Sequence, residues 1–208
     1  MVASSYIAGN VLTDGEAWIA LNSTLLDADA TSIEFKSGFA DGAAPAGSGS
    51  GGVQNWDQYM DLVAIAYVRA APEHNSRIAL LSINGSSTNA DYDTQQHYGN
   101  GTAPVAEAVS SNYWFNVLIG DNSTDNAFCV AVTQFFDINS GKFKSFSVEA
   151  ASEFVTEGQV VMAAGTFLKQ DPISSLKFYE DSGQGLKDES RIDLFGVLPS
   201  MLTTGTLP

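Results

Sequence analysis

Basic residues are scarce in this chain: 9 Lys and Arg stand against 24 Asp and Glu, a net charge of −15 at neutral pH. Such a surface repels phosphate backbones and anionic headgroups within reach of a Debye length, roughly 10 Å at 0.1 M salt, which argues against nucleic acid and membranes as partners. The same excess keeps an abundant protein soluble and leaves cations or a basic protein surface as the attractive partners. Cysteine is nearly absent. Cys129 stands alone inside Ala127-Phe128-Cys129-Val130-Ala131-Val132, so no intrachain disulfide or cysteine metal cage can form, and it reads as a small buried hydrophobe. No run of 18 apolar residues occurs, and Met1-Val2-Ala3-Ser4-Ser5-Tyr6 lacks the basic-then-apolar order of a leader. The expectation is synthesis in a cytoplasm with no membrane span, the Asn-x-Ser/Thr sites at Asn22, Asn84, Asn100 and Asn122 being Asn-rich loops.

Catalytic equipment is equally thin. The two histidines, His74 and His97, belong to no metal-ligand spacing; His74 follows Pro72-Glu73 in a turn and reads as an exposed loop residue. His97 lies in Asp91-Tyr92-Asp93-Thr94-Gln95-Gln96-His97-Tyr98, where Asn89, Asp91 and Asp93 imitate the opening of a calcium loop. That loop would need Gly at its sixth position and Glu at its twelfth, where Thr94 and Asn100 stand. No Gly-x-Ser-x-Gly elbow frames a serine, since the centre of Gly47-Ser48-Gly49-Ser50-Gly51 is glycine, and no phosphate loop ends in Gly-Lys-Ser/Thr. Glu34, Glu149, Asp61 and Asp193 fall on predicted strands and could pair for sugar hydrolysis only if a sheet brought two together. Solvated faces are the commoner place for such acids. Trp18, Trp56 and Tyr113-Trp114-Phe115 would stack sugars or bases if exposed, but in a β domain such residues more often build core. The chain is therefore expected to work without catalysis and without a cofactor or metal.

What is abundant is strand material. Hydrophobic residues make up 44% and aromatics 11%, enough to bury a core without staples. Short apolar segments rich in Val, Ile, Phe and Tyr, separated by turn residues, predict strands at Glu16 to Leu21, Thr31 to Lys36, Tyr59 to Arg69, Ser76 to Ile83 and Tyr113 to Ile119. Further strands are predicted at Ala127 to Ile138, Lys142 to Ala150, Gln159 to Leu168, Ile173 to Tyr179 and Arg191 to Leu198. The fold expected is all-β: an antiparallel two-sheet sandwich of jelly-roll type, about ten strands with little helix. Alternation is clearest for Ile173, Leu176, Phe178, Ile192, Leu194 and Phe195, one face buried and one wet. Phe143, Phe146 and Val148 alternate less cleanly, which predicts a bulge or register irregularity near Phe143. Leu62 to Val68 is continuously apolar, suiting a strand covered on both faces or covered on one by a neighbouring subunit, with a short helix as the competing reading. Three parts follow: an arm over residues 1 to 15, the sandwich over 16 to 198, and a tail over 199 to 208. Gly38 to Gly52 is a low-complexity Gly/Ser loop, a surface excursion or an arm ordered by a neighbour, and Asn84 to Ser111 reads as a second, long polar loop.

Three features in chain order carry a resemblance. A strand ends in an Asn-Gly turn and enters a polar loop at Leu81-Ser82-Ile83-Asn84-Gly85-Ser86-Ser87-Thr88-Asn89-Ala90-Asp91-Tyr92, then His97-Tyr98-Gly99-Asn100-Gly101. A strand, polar turn and lysine-bearing return follow at Phe135-Phe136-Asp137-Ile138-Asn139-Ser140-Gly141-Lys142-Phe143-Lys144-Ser145-Phe146. A closing hairpin comprises Pro172-Ile173-Ser174-Ser175-Leu176-Lys177-Phe178, a turn at Gly183 to Gly185, and Ser190-Arg191-Ile192-Asp193-Leu194-Phe195-Gly196-Val197. From Leu62 onward this order resembles a group of β-sandwich virion proteins of tailed bacteriophages, common among short-tailed marine phages; Phe195 stands where their ending carries Tyr. The resemblance implies a non-enzymatic virion component present in many copies. The expected role is a capsid decoration or cement protein on the head exterior, the alternative a tail or fibre module that recognises host glycan or joins tail parts. Expected partners are the major capsid protein or other virion proteins and further copies of the chain, a trimer being one arrangement.

Overall fold

The computed structural model describes residues 6–7, 11–12, 18–38, 55–71, 76–99, 101–109, 114–120, 126–153 and 158–198. His74, the Gly/Ser loop beyond Gly38, and the tail from 199 onward lie outside the described residues, as does most of the arm. The strands are β1 (Tyr6–Ile7), β2 (Val11–Leu12), β3 (Trp18–Leu25), β4 (Ser32–Lys36), β5 (Asp61–Val68), β6 (Ser76–Ile83) and β7 (Tyr92–Gly99). Then come β8 (Pro104–Val109), β9 (Trp114–Ile119), β10 (Cys129–Phe135), β11 (Lys144–Glu153), β12 (Gly158–Phe167), β13 (Ser175–Glu180) and β14 (Arg191–Val197). Helix among the described residues is confined to single 3-10 turns at Trp56–Gln58 and Asn89–Asp91. The fold is all-β, as expected.

Two antiparallel sheets pack face to face. The larger runs β3-β14-β5-β10-β11-β12-β7-β8 and the smaller β4-β13-β6-β9, while among the described strands β1 pairs with β2 alone. If β3, β4, β5, β6, β9, β10, β13 and β14 are counted as strands one to eight, β3-β14-β5-β10 reads one-eight-three-six and the small sheet two-seven-four-five. That is the two-Greek-key order of a jelly roll. The other four strands are two hairpins from different connections, β7–β8 between β6 and β9, and β11–β12 between β10 and β13. They widen the large sheet beyond β10.

Alternation explains the core. Leu62, Ala64, Ala66 and Val68 of β5 face inward with Ile192 and Leu194 of β14, opposite Ile33, Phe35, Leu81, Ile83 and Phe178 of the small sheet. Phe35 meets Phe178 edge-on at 6.2 Å. Cys129 is fully buried, as expected of a small hydrophobe, and Trp56 is buried in the same core. The apolar run at Leu62 to Val68 is a central strand between β14 and β10, not a helix. β6 ends at Ile83 in the Asn-Gly turn, where Asn84 and Gly85 both have positive φ, 52° and 73°. Asn84 Oδ1 then accepts the N–H groups of Ser174 and Ser175, at 2.8 and 3.1 Å, tying the turn to the start of β13.

Three expectations are corrected. Asn84 to Ser111 is not one long loop, for it holds β7 and β8. The inward positions of β7 include Thr94 and Gln96, both buried but polar, so no apolar alternation marked the strand. Its order comes instead from pairing with β12 and from Tyr92, whose hydroxyl accepts Ile83 N–H at 2.9 Å and whose ring lies 5.2 Å from Phe167. The irregularity near Phe143 is also absent. Phe143 precedes β11 and is 53% exposed, and β11 pairs with β10 and β12 without a break; the register shifts fall at Leu194/Phe195 and Ala79/Leu80. Alternation looked unclean because the inward position is taken by Lys144, fully buried, whose ammonium donates to the carbonyls of Ser140, Lys142 and Gln170 at 2.5, 2.6 and 3.2 Å. Burial lowers the Lys144 pKa against the opposing pull of Asp137 and Asp171. Phe195, finally, is outward: Leu194 enters the core, and Phe195 lies 6.0 Å from Trp18 on the outer face.

Candidate functional site

The predicted strand acids do not converge. Asp193, Ile65, Val132 and Glu149 stand in one row across the outer face of the large sheet, so three strand spacings, about 14 Å, separate the backbones of the two acids. Glycosidase pairs sit roughly 5 to 9.5 Å apart. Asp193 is instead held by Arg191, Nη2 at 2.6 Å and Nε at 3.0 Å, and by the Ser23 hydroxyl at 2.5 Å. Burial works to raise its pKa, but the Arg191 and Ser23 hydrogen bonds and the Arg191 charge outweigh this and keep it below the usual carboxylate range. Asp61 lies four residues along β5 from that row and accepts Asp137 N–H at 2.8 Å, while Glu34 is on the small sheet, 3.1 Å from Lys36.

The Asn89, Asp91 and Asp93 segment does not form a cage either. Asp91 is occupied by Lys169 at 2.7 Å and the Ser86 hydroxyl at 2.6 Å, and these bonds, Lys169 first, lower its pKa. Asp93 is on β7 and points out of the sheet, and Asn89 is exposed in the preceding turn. His97 is likewise an exposed outward residue of β7. No cluster of three or more His, Cys, Asp or Glu among the described residues could hold a metal ion.

What the fold does assemble is an open apolar face. Across the outer side of the large sheet, one row reads Tyr67, Val130, Ala151, Val160, Gly99, Pro104 from β5 to β8, and the next reads Ile65, Val132, Glu149, Met162, His97, Ala106. Val160 is 62% exposed, Met162 58%, Tyr67 46%, and Leu25 at the far end of the first row 65%. Glu149 and the Arg191–Asp193 pair are the carboxylate and guanidinium charges on these rows, which also hold His97. Near β8 the face sinks into a shallow depression of about 440 Å³, floored and walled by His97, Gly99, Pro104, Ala106, Val160 and Met162. A second depression shares Gly99 and Val160 and continues toward Val130 and Ala151. Contiguous exposed apolar surface of this kind marks interaction sites rather than ordinary exposed side chains.

The signal for this face was present in Gln159-Val160-Val161-Met162-Ala163-Ala164, apolar on both parities, as in Leu62 to Val68. In each, one parity fills the core and the other faces outward, where Val63 is buried but Tyr67, Val160 and Met162 are exposed. Trp18, on the edge strand β3, is 48% exposed and belongs to the same face, whereas the side chains of residues 113–115 lie outside the described residues. No protein-family model, no curated protein and no solved structure matches the chain.

Proposed function

We propose that this chain is a non-enzymatic structural protein of a bacteriophage particle that docks on the head exterior as a decoration or cement protein. The observation that carries the reading is the broad, charge-poor apolar outer face of the large sheet in a chain of net charge −15. Apolar groups left open on an otherwise strongly acidic protein gain free energy only by burial against another surface, and the acidic remainder keeps the free protein soluble until it docks. The jelly roll supports the reading by analogy alone, since the same architecture serves capsid proteins and lectins. Many identical sites on an assembled shell multiply modest contacts, so docking favours the lattice over lone coat subunits.

The test is retention on purified heads. Val160→Glu and Met162→Glu each place a charge where docking would bury an apolar side chain worth about 1.5 to 3 kcal/mol, a loss of at least about tenfold in affinity. Folded variants that co-sediment with heads as well as the wild type overturn this docking face. Quantitative gels of whole particles separate head from tail: copies comparable to the major capsid protein support decoration, and a few copies per particle move the protein to the tail.

A further inference from the structure

The two sheets have four edge strands, and three of them are blunted. β3 carries a register shift opposite Leu194/Phe195. β4 bears the Glu34–Lys36 ion pair, and the Trp56 N–H closes on Ser37 Oγ at its end, 3.0 Å away. β9 has a register shift opposite Ala79/Leu80 and lies against β10 and β11 of the other sheet. Bulges, charges and cover are the devices by which proteins prevent edge pairing. β8 has no register shift and, among the described strands, no cover, and it carries a single charge. Its six residues pair with β7 in unbroken register from Thr94↔Val109 to Gly99↔Pro104, and Pro104 occupies only the first position, where it costs no interior pairing. Glu107 is the sole charge from Gly101 to Val109, and the Gln96 side-chain amide holds it from the β7 side. Among the described strands none pairs with the outer side of β8, and Pro104, Ala106, Glu107 and Ala108 are exposed.

We propose that β8 is a self-pairing edge: two copies of this chain join antiparallel along Pro104–Val109, about a two-fold axis at Ala106, and fuse their large sheets into one. Residues that face each other across an antiparallel ladder lie on the same side of the sheet. With Ala106 opposite its own copy, Pro104 meets Ala108 and Val105 meets Glu107. The outward row is then entirely small, and the two Glu107 carboxylates sit diagonally rather than face to face, avoiding the like-charge pair that a register centred on Glu107 would impose. A second copy is the occupant that this strand accepts with no complementary charge required, which matters because any other acidic surface of one copy repels that of the next. The axis is perpendicular to the sheet, so the depression at His97, Pro104 and Ala106 runs up to the joint and meets its twin across it. Each copy thus supplies half of one longer groove. The arrangement is an isologous dimer, not a trimer, and it concerns the chain alone, whether or not a phage head is its destination.

The experiment uses the full chain. In this register the facing Cα atoms lie about 4.5 to 5.5 Å apart, within disulfide reach. Ala106→Cys should therefore form a covalent dimer under copper-phenanthroline oxidation about tenfold faster than Ser145→Cys, an exposed position of the same sheet remote from the edge. Cys129 is buried and does not compete. Sedimentation equilibrium of the wild type should show a monomer–dimer equilibrium that tightens as salt rises, because screening relieves repulsion between two acidic copies. Ala106→Lys should weaken that dimer by about tenfold or more with an unchanged circular dichroism spectrum. A wild type that stays monomeric at every concentration and salt overturns the proposal, as does an oligomer indifferent to Ala106→Lys or equal cross-linking of the two cysteine variants. Because no head is present in these measurements, their failure leaves the docking reading standing, and failure of docking leaves the dimer standing.

Discussion

Phe146 and Gly165 face each other across β11 and β12, and a methyl group at Gly165 has nowhere to go. A Cβ there would lie 2.4 Å from Phe146 Cζ and 2.9 Å from both Cε atoms, so the ring tip must retreat by about 1 Å to reach ordinary contact. The ring is buried, and behind it stands Phe135, with ring centroids 6.3 Å apart. Gly165 is not in the left-handed region, so alanine meets no backbone strain and gains roughly 0.5 to 1 kcal/mol of strand preference over glycine. Overpacking a dense core costs about 1 to 3 kcal/mol. With the added Cβ well inside contact distance of a buried ring, the steric cost falls in the upper part of that range, about 2 to 3 kcal/mol, and exceeds the gain, so Gly165→Ala should destabilise by about 1 to 2 kcal/mol, lowering the melting temperature by roughly 2 to 8 °C for a domain of this size. Phe146→Ala alone should cost about 3 to 5 kcal/mol. In the double variant the new methyl group finds the space that the ring vacated, so the combined loss should fall short of the sum by about 1 kcal/mol or more. Urea unfolding followed by tryptophan fluorescence measures all four corners of the cycle. A neutral or stabilising Gly165→Ala, or additivity within about 0.5 kcal/mol, would refute the claim that ring and glycine share one space.

Glu180 offers a pH-dependent test. Its carboxylate is buried, which raises its pKa, but N–H groups of Gly185, Ser182 and Gln184 and the Ser182 hydroxyl outweigh burial and hold the pKa below the ordinary 4.5. Between the folded pKa and the unfolded one the unfolded chain binds more protons, so this contribution is complete above the unfolded value and disappears as pH falls through the folded one. Glu180→Gln should cost about 1 to 3 kcal/mol at neutral pH, and the gap to wild type in urea melts should narrow below pH 4; a gap independent of pH counts against the assignment. Asp91 gives the metal test: with Lys169 and Ser86 on its carboxylate, millimolar calcium or its removal by EDTA should leave the melting temperature of the wild type unchanged. A calcium-dependent rise would show that the cation displaces Lys169.

Alternation marks the stretches where successive inward positions are apolar, such as Leu176 and Phe178 in β13 and Val148 and Ala150 in β11. β7 escaped because its inward Thr94 and Gln96 are polar and its strand character depends on β12 at one side and Tyr92 at one end. Lys144 misled for a related reason. A lysine at an inward position reads as a fault in the pattern until the carbonyls of Ser140, Lys142 and Gln170, two of them from the turn before it and one from beyond β12, are seen to surround its ammonium.

The acidic charge balance, the lone buried cysteine and the all-β sandwich follow from residue type and period-two spacing, which are local properties of the chain. The order of strands, the two hairpins that extend the jelly roll, and the juxtaposition of Tyr67, Val160, Met162 and Ala106 on one open face do not. A strand's spacing tells which residues share a face, but not which strand lies beside it. Register between segments distant in sequence is chosen by the packing of the whole core, and only that choice brings these residues together or keeps Asp193 and Glu149 apart.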